Sequence, residues 1–326
     1  MRIALVGPHP GPATGSRAYA ARLGGLLPAR HTVRWIDSPD QHADGEVVHL
    51  LDAKHALGAP RPRGPLVVDL HDAYWTGEPD YPAFDRALRR FRWSRLRPRM
   101  EALLADADSV IVHAACLEHA VPHDRVVVVP IPAEGTPQEP PDAHTDFRVL
   151  FAGRDGLRKG LPVLGRALRK LGLPATLTVA GREFPHLRAA QRWWTRRIVT
   201  RFPGELTPAG MDAAYAWADV VALPSYTEAF GMVAQEALCR GVPVVASDVG
   251  GLGEFLRDLP GAWLAPPGNP VALAEALDAV HRAGPAARDA ARDGGARLRA
   301  TRTPKATLDA LDLAYDLARK ARKARA

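Results

Sequence analysis

The residues best suited to chemistry lie between Leu223 and Glu254, in LPSYTEAFGMVAQEALCRGVPVVASDVGGLGE. Val220–Leu223 reads as a strand ended by Pro224, and a helix is expected to begin near Phe230 and Gly231. The first amides of such a helix, at Gly231, Met232 and Val233, have no partner inside it. They offer a site for an anion such as a diphosphate. Gly231 has no Cβ, so a ligand can come close to the backbone. Glu236 lies five residues further on, about 7–8 Å along the helix axis. A carboxylate at that distance can grip a ribose diol while the helix start grips phosphate. Glu228 precedes the helix and can meet hydroxyls at the other end of the same ligand.

Such a site needs elements to carry it. Arg2-Ile3-Ala4-Leu5-Val6 is a short apolar run ended by Gly7-Pro8. Similar runs around Val33, Val47, Leu66, Ser109 and Val126 read as strands, several of them separated by helical segments. Strands nearly continuous in Val, Ile and Leu, spaced by helices, indicate a parallel sheet covered on both faces. Pro130 to Asp146 breaks the pattern with five prolines and no apolar periodicity, as a linker does. The alternation then restarts, with strands expected near Arg148, Thr176, Val220, Val242 and Ala262. The expected organisation is an N-terminal α/β unit over 1–132, a linker over 133–146 and a C-terminal α/β unit over 147–302. A terminal helix, 303–326, carries an apolar stripe of Leu308, Leu311, Tyr315 and Leu317 that must be buried somewhere. In open α/β sheets ligands bind at the carboxyl ends of the strands, so two such units facing each other place a site in the cleft between them.

Composition narrows the class. Of 326 residues, 47% are hydrophobic and 24% charged, which argues against a largely disordered chain. No stretch approaches the roughly 20 apolar residues of a membrane span. The start of the chain turns polar too soon for a secretory signal. Two cysteines, Cys116 and Cys239, exclude a zinc ribbon or a multi-disulfide scaffold and fit a reducing, cytoplasmic compartment. The net charge is +7, carried mostly by arginine, the better bidentate partner of phosphates and carboxylates. A coding bias accounts for arginine richness equally well, so basicity does not nominate nucleic acid.

The text around Glu228 and Glu236 resembles a known family. Seven residues separate the two glutamates, which matches the E-x7-E motif of retaining glycosyltransferases of family 4. Phe151-Ala152-Gly153-Arg154 with Lys159-Gly160 is similar to the family's signature at the opening of its second domain. Ala216-Trp217-Ala218-Asp219-Val220 and Leu264-Ala265-Pro266-Pro267-Gly268-Asn269-Pro270 also resemble family segments. The resemblance is strong over 147–283 and weaker but collinear over 1–132. It implies the GT-B fold, two Rossmann-like domains facing a cleft, within the glycogen-phosphorylase-like superfamily. It implies transfer of a sugar from a nucleotide-sugar donor (UDP, GDP, dTDP or ADP type) to an acceptor hydroxyl, with retained anomeric configuration. The acceptor is a small molecule, a glycan or a lipid. No cofactor and no metal are expected.

The implied roles fall on particular residues. Departing diphosphate must be stabilised by cations and helix-start amides. Arg154 and Lys159 are the candidates for the cations, and the backbone from Phe230 to Val233 for the amides. Glu236 takes the ribose, and Glu228 the sugar or its neighbouring phosphate. His71, ending a strand in Val67-Val68-Asp69-Leu70-His71-Asp72, resembles the histidine that the family places near the donor sugar and the attacking hydroxyl. Gly250 and Gly251 would let a loop approach the ligand. The glycine-rich loop Gly7–Ser16 resembles the family loop near donor and acceptor, with Gly15-Ser16 standing where paired glycines are usual. His49 is read as structural. Asp106-Ala107-Asp108 matches a D-x-D metal motif of another fold, but its place before a strand suits helix termination.

Two other classes are consistent with parts of this pattern. A sugar-nucleotide epimerase of the same fold also needs carboxylates and histidines. A protein binding anionic membrane or nucleic acid would use the arginines, and predicts strong salt dependence. It leaves Glu228 and Glu236 unexplained. Basic stretches with aromatics, at Asp85–Arg99 and Arg182–Arg201, can lie in a lipid headgroup layer at the inner face of the membrane. A solvated face with its aromatics in the core is the expectation for both.

Overall fold

The computed structural model describes residues 1–7, 16–53, 57–58, 60–71, 83–139, 143–154, 156–182 and 188–325, with backbone only at 16, 83–93 and 188. Residues 8–15 of the glycine loop, Gly15 among them, therefore lie outside the described residues, and Ser16 is placed only as the first residue of a helix.

The N-terminal half builds β1 (Arg2–Val6), α1 (Ser16–Leu26), β2 (Thr32–Ile36), β3 (Val47–Leu50), β4 (Leu66–Asp69), α2 (Ala83–Asp106), β5 (Ser109–Val112), α3 (Ala115–Glu118) and β6 (Val126–Val128). Its six strands are parallel, in the order β2-β1-β3-β4-β5-β6. The C-terminal half adds β7 (Phe147–Ala152), α4 (Leu161–Leu171), β8 (Ala175–Ala180), α5 (Arg188–Trp194), β9 (Val199–Gly204), α6 (Pro208–Trp217), β10 (Val220–Leu223), α7 (Met232–Cys239), β11 (Val244–Ser247), α8 (Gly250–Leu256), β12 (Ala262–Ala265), α9 (Pro270–Ala283), α10 (Pro285–Thr301) and α11 (Pro304–Arg325). Its sheet is also six-stranded and parallel, in the order β12-β11-β10-β7-β8-β9.

Strand periodicity divides each sheet's side chains between two cores. In β1, Ile3 and Leu5 join Tyr19 and Leu23 of α1, whereas Ala4 and Val6 join Met100 and Leu104 of α2. In β7, Val149 and Phe151 face Leu164 and Leu277 of α4 and α9, and Leu150 faces Ala237 and Leu238 of α7. Local chemistry sets the helix ends. Asn269 accepts hydrogen bonds from the amides of Val271 (3.0 Å) and Ala272 (3.2 Å), and Pro270 opens α9 behind it.

Helix α11 crosses back over the first sheet. Leu308, Leu311, Ala314, Tyr315 and Ala318 are buried among Ile3, Leu5, Val47, Val67 and Ile111. Buried polar groups lock the contact. The Tyr315 hydroxyl meets His49 Nδ1 at 2.9 Å, and the Ser109 hydroxyl donates to the Ala314 carbonyl at 2.9 Å. Asp108 accepts from the Leu66 amide at 2.9 Å and faces Arg325 at 3.3 Å, while Asp106 pairs with Arg61 at 2.5 Å. Both carboxylates of the D-x-D sequence thus have structural partners.

The basic stretches are mostly solvated where described. Arg95, Arg97 and Arg99 of α2 are exposed. Trp194 packs against the second core, whereas Trp193 is 57% exposed beneath Arg196. Arg182–Arg201 does not form one helix, because α5 ends at Trp194 and β9 follows. Among the described residues no helix is long and apolar enough to cross a membrane.

Candidate active site

Strand β10 delivers a short loop to the start of α7, and that loop gathers the candidate residues. Ser225 to Phe230 run between the buried end of β10 and Gly231, whose φ of 93° lies in the left-handed region. A Cβ there would stand 2.6 Å from Leu252 Cδ1, so packing as well as conformation requires glycine. The amides of Gly231, Met232 and Val233 come before that of Ala234, the first to donate inside the helix, to the Gly231 carbonyl at 3.0 Å.

Two candidates from different segments meet in this loop. Lys159 Nζ donates to Glu228 Oε2 in a largely buried ion pair. Arg154 follows β7 and is exposed at the carboxyl edge of the second sheet. Glu236, on α7, accepts from the buried Tyr215 hydroxyl at 2.9 Å. It also accepts from Arg22 Nη2 at 2.5 Å. Arg22 belongs to α1 of the N-terminal half and pairs at the same time with Glu134 at 3.0 Å. Glu236 therefore sits where the two halves touch. Arg22 and Tyr215 are missed by sequence reasoning: nothing in the text around Arg22 points to a carboxylate 214 positions away.

Phe230 plays a different part from its neighbours. Its ring is buried, stacks on Phe255 at 4.9 Å and lies under Arg302 at 4.7 Å. Only its backbone is free to serve a ligand. Gly250 and Gly251 also need correction. The sequence pattern puts them in a loop, but they form the first turn of α8. A Cβ on Gly250 would meet the Glu228 carbonyl at 2.3 Å, and one on Gly251 the Ala229 carbonyl at 2.0 Å. Their bareness lets α8 press against the 228–230 loop, so they shape the site through packing. Glu254 of α8 then accepts from the amides of Ala115 (3.0 Å) and Cys116 (2.7 Å) at the start of α3. Burial alone would raise its pKa. The two amides and nearby Arg302 outweigh burial and hold the carboxyl below its ordinary value.

Across the cleft, His71 follows β4 and is 13% exposed. Its Nε2 lies 3.7 Å from Asp69 Oδ1, and His113 Nε2 lies 2.9 Å from the same oxygen. Burial opposes a charge on Asp69, but His113 and His71 beside it prevail and hold its carboxyl far below the usual carboxylate range. Burial likewise lowers the His113 pKa, and the Asp69 charge more than offsets it, so His113 is raised. His49 is fully buried and directs Nδ1 to Tyr315, in keeping with a structural role.

Known proteins share this architecture. The family described as Glycosyl transferases group 1 matches residues 134–295. A D-inositol 3-phosphate glycosyltransferase from Xylanimonas cellulosilytica is 37% identical over 182 residues, covering 48% of this chain and 43% of the relative. A phosphatidyl-myo-inositol mannosyltransferase from Mycobacterium leprae is 40% identical over 140 residues, 41% of this chain and 37% of the relative. The chain thus spans less than half the length of these curated relatives. Among solved structures, sucrose-phosphate synthase from Thermosynechococcus elongatus superposes with a TM-score of 0.77 at 20% identity, covering 97% of this chain and 98% of the other. HepE of Anabaena, in complex with UDP and glucose, gives 0.73 at 17% identity, with 96% and 98% covered. The chain has the GT-B fold, and its residues 134–295 match the group 1 glycosyltransferase family model.

Proposed function

We propose that this chain is a glycosyltransferase that moves a sugar from a nucleotide-sugar donor to an acceptor hydroxyl with retention of configuration. The observation that carries the reading is the meeting of Lys159 and Glu228 at the amide-lined start of α7, with Glu236 further along the same helix. In this reading Lys159 and Arg154 neutralise the leaving diphosphate, aided by the amides from Phe230 to Val233. Glu236 holds the ribose, and Glu228 the sugar or the phosphate next to it. His71 approaches from the N-terminal half and positions the sugar or the acceptor. The donor is a nucleotide-sugar of the UDP, GDP, dTDP or ADP type; a structure of the same fold, described in complex with UDP and glucose, puts UDP first for testing. The acceptor is a polyol or lipid hydroxyl, in line with the names of the relatives. No observation favours the epimerase reading.

A thermal-shift panel of UDP, GDP, dTDP and ADP tests the donor. A ligand at 100 times its Kd stabilises the folded state by roughly 2.7 kcal/mol. UDP is expected to give the largest shift, and no shift with any of the four would overturn the reading. An assay of UDP-sugar turnover with and without added polyol separates transferase from epimerase.

Glu236→Ala is expected to weaken nucleotide binding by about 1–3 kcal/mol, the scale of lost charge-assisted hydrogen bonds. Calorimetric titration of the folded variant checks it, and unchanged affinity refutes the ribose assignment. Added Mg²⁺ or Mn²⁺ is expected to leave the transfer rate unchanged, since side-chain cations and amides serve the diphosphate in this reading. A rate that vanishes without Mg²⁺ and returns with it contradicts this.

A further inference from the structure

The cluster around Asp69 exceeds what a sugar-positioning histidine requires. Strands β4 and β5 are parallel neighbours with Asp69 opposite Ile111. Two residues further along each chain, His71 and His113 come side by side, with ring centroids 5.1 Å apart. One ligating atom from each of Asp69, His71 and His113 lies within 4.8 Å of the others.

We propose that Asp69, His71 and His113 bind a divalent transition-metal ion of the zinc class. The donor set is two imidazoles and a carboxylate, which suits zinc better than magnesium. A tetrahedral ion with bonds of about 2.0–2.1 Å holds its ligand atoms roughly 3.3 Å apart. The two nitrogens stand 2.9 and 3.7 Å from Asp69 Oδ1, on either side of that value. The orientation is also suitable. His113 Nδ1 lies 2.9 Å from the Val129 carbonyl, which can only accept, so Nδ1 carries the proton. Nε2 is then the ring atom that gives up its proton to solvent when a metal binds, the arrangement that outer partners impose on metal-binding histidines. Without metal, His113 Nε2 faces Asp69 Oδ1 at 2.9 Å as a buried ion pair, and Asp69 Oδ2 has no partner in hydrogen-bonding geometry. A divalent ion among the three ligand atoms takes the place of that pair and satisfies the remaining carboxylate oxygen as well. Tyr19 closes one side, with its ring edge-on to His71 at 4.6 Å and His113 at 4.9 Å. Partly exposed His71 leaves an approach from the other. Three protein ligands leave a fourth position for water or a bound hydroxyl. The proposal does not depend on the transfer reading.

The test uses the full chain, stripped with a chelator and dialysed against Zn²⁺ or Co²⁺ beside excess Mg²⁺. One equivalent of Zn²⁺ is expected by elemental analysis. The Co²⁺ form is expected to show the intense visible absorption of a four-coordinate ion. Affinity is expected to fall at least tenfold in Asp69→Asn and in His113→Gln, with the fold checked by circular dichroism. Absence of stoichiometric metal overturns the proposal and leaves a buried hydrogen-bonded carboxylate. Binding that persists undiminished in both variants also overturns it. If either variant fails to fold, the wild-type Co²⁺ spectrum decides: the weak absorption of a six-coordinate ion rejects the site.

Discussion

Removal of residues 303–326 is expected to abolish cooperative folding. Leu311 and Tyr315 are fully buried and Leu308 is nearly so, all against the first sheet. Truncating a single buried leucine to alanine typically costs about 2–5 kcal/mol. Losing three large side chains with Ala314 and Ala318 therefore approaches the whole stability of a domain, about 5–15 kcal/mol. The deletion also strips hydrogen-bond partners from His49 and Ser109 in the interior. The expected result is a protein without a sharp thermal transition. Tyr315→Phe, which removes only the bond to His49, is expected to cost about 1–3 kcal/mol and still fold. A truncated chain melting at the wild-type temperature would sink the claim that α11 belongs to the N-terminal core. Because α11 ties the end of the C-terminal half to the first sheet, it also restricts how the cleft opens around bound substrates.

Lys159→Ala is expected to lower kcat/KM for transfer by about 10²–10³-fold, the effect of removing one preorganised charge stabiliser, or roughly 2.7–4 kcal/mol. Lys159 and Glu228 neutralise each other in the structure. A bound diphosphate takes over the lysine and frees Glu228 for the sugar. The pair is largely buried, so removing the lysine leaves Glu228 unpaired and the melting temperature is expected to fall as well. Lys159→Arg keeps the charge but not its shape as a point donor, and is expected to recover part of the rate. Steady-state kinetics on folded variants decide the matter. A Lys159→Ala enzyme with wild-type kcat/KM removes lysine from the reaction.

Much of the scaffold was legible because parallel strands buried on both faces have few residue choices. The Val, Ile and Leu runs of β3, β5 and β10 locate those strands directly, and Asn269-Pro270 marks the start of α9. Strand β9 escaped notice for the opposite reason. It is an edge strand with alternating exposed residues and Pro203, so no apolar run announces it. Helix α8 escaped as well, because Gly250-Gly251 is a poor helix start by propensity. Contact with the Glu228 and Ala229 carbonyls selects glycine there.

The sequence by itself determined the local half of the site. Glu228, Gly231 and Glu236 share one strand–loop–helix segment, so their relative placement follows from the rise of a helix. Tertiary structure alone decided what opposes them. Arg22 reaches Glu236 from 214 positions away, and Glu254 reaches α3 across the cleft. Asp69, His71 and His113 converge because β4 and β5 pair in one register, and a shift of one residue would turn His113 to the other face. Spacing along the chain records helix and strand geometry, but it carries no record of which distant strands pair or which helix closes over a sheet. Those are set by burial of the apolar faces, and the polar groups at their edges meet as a consequence.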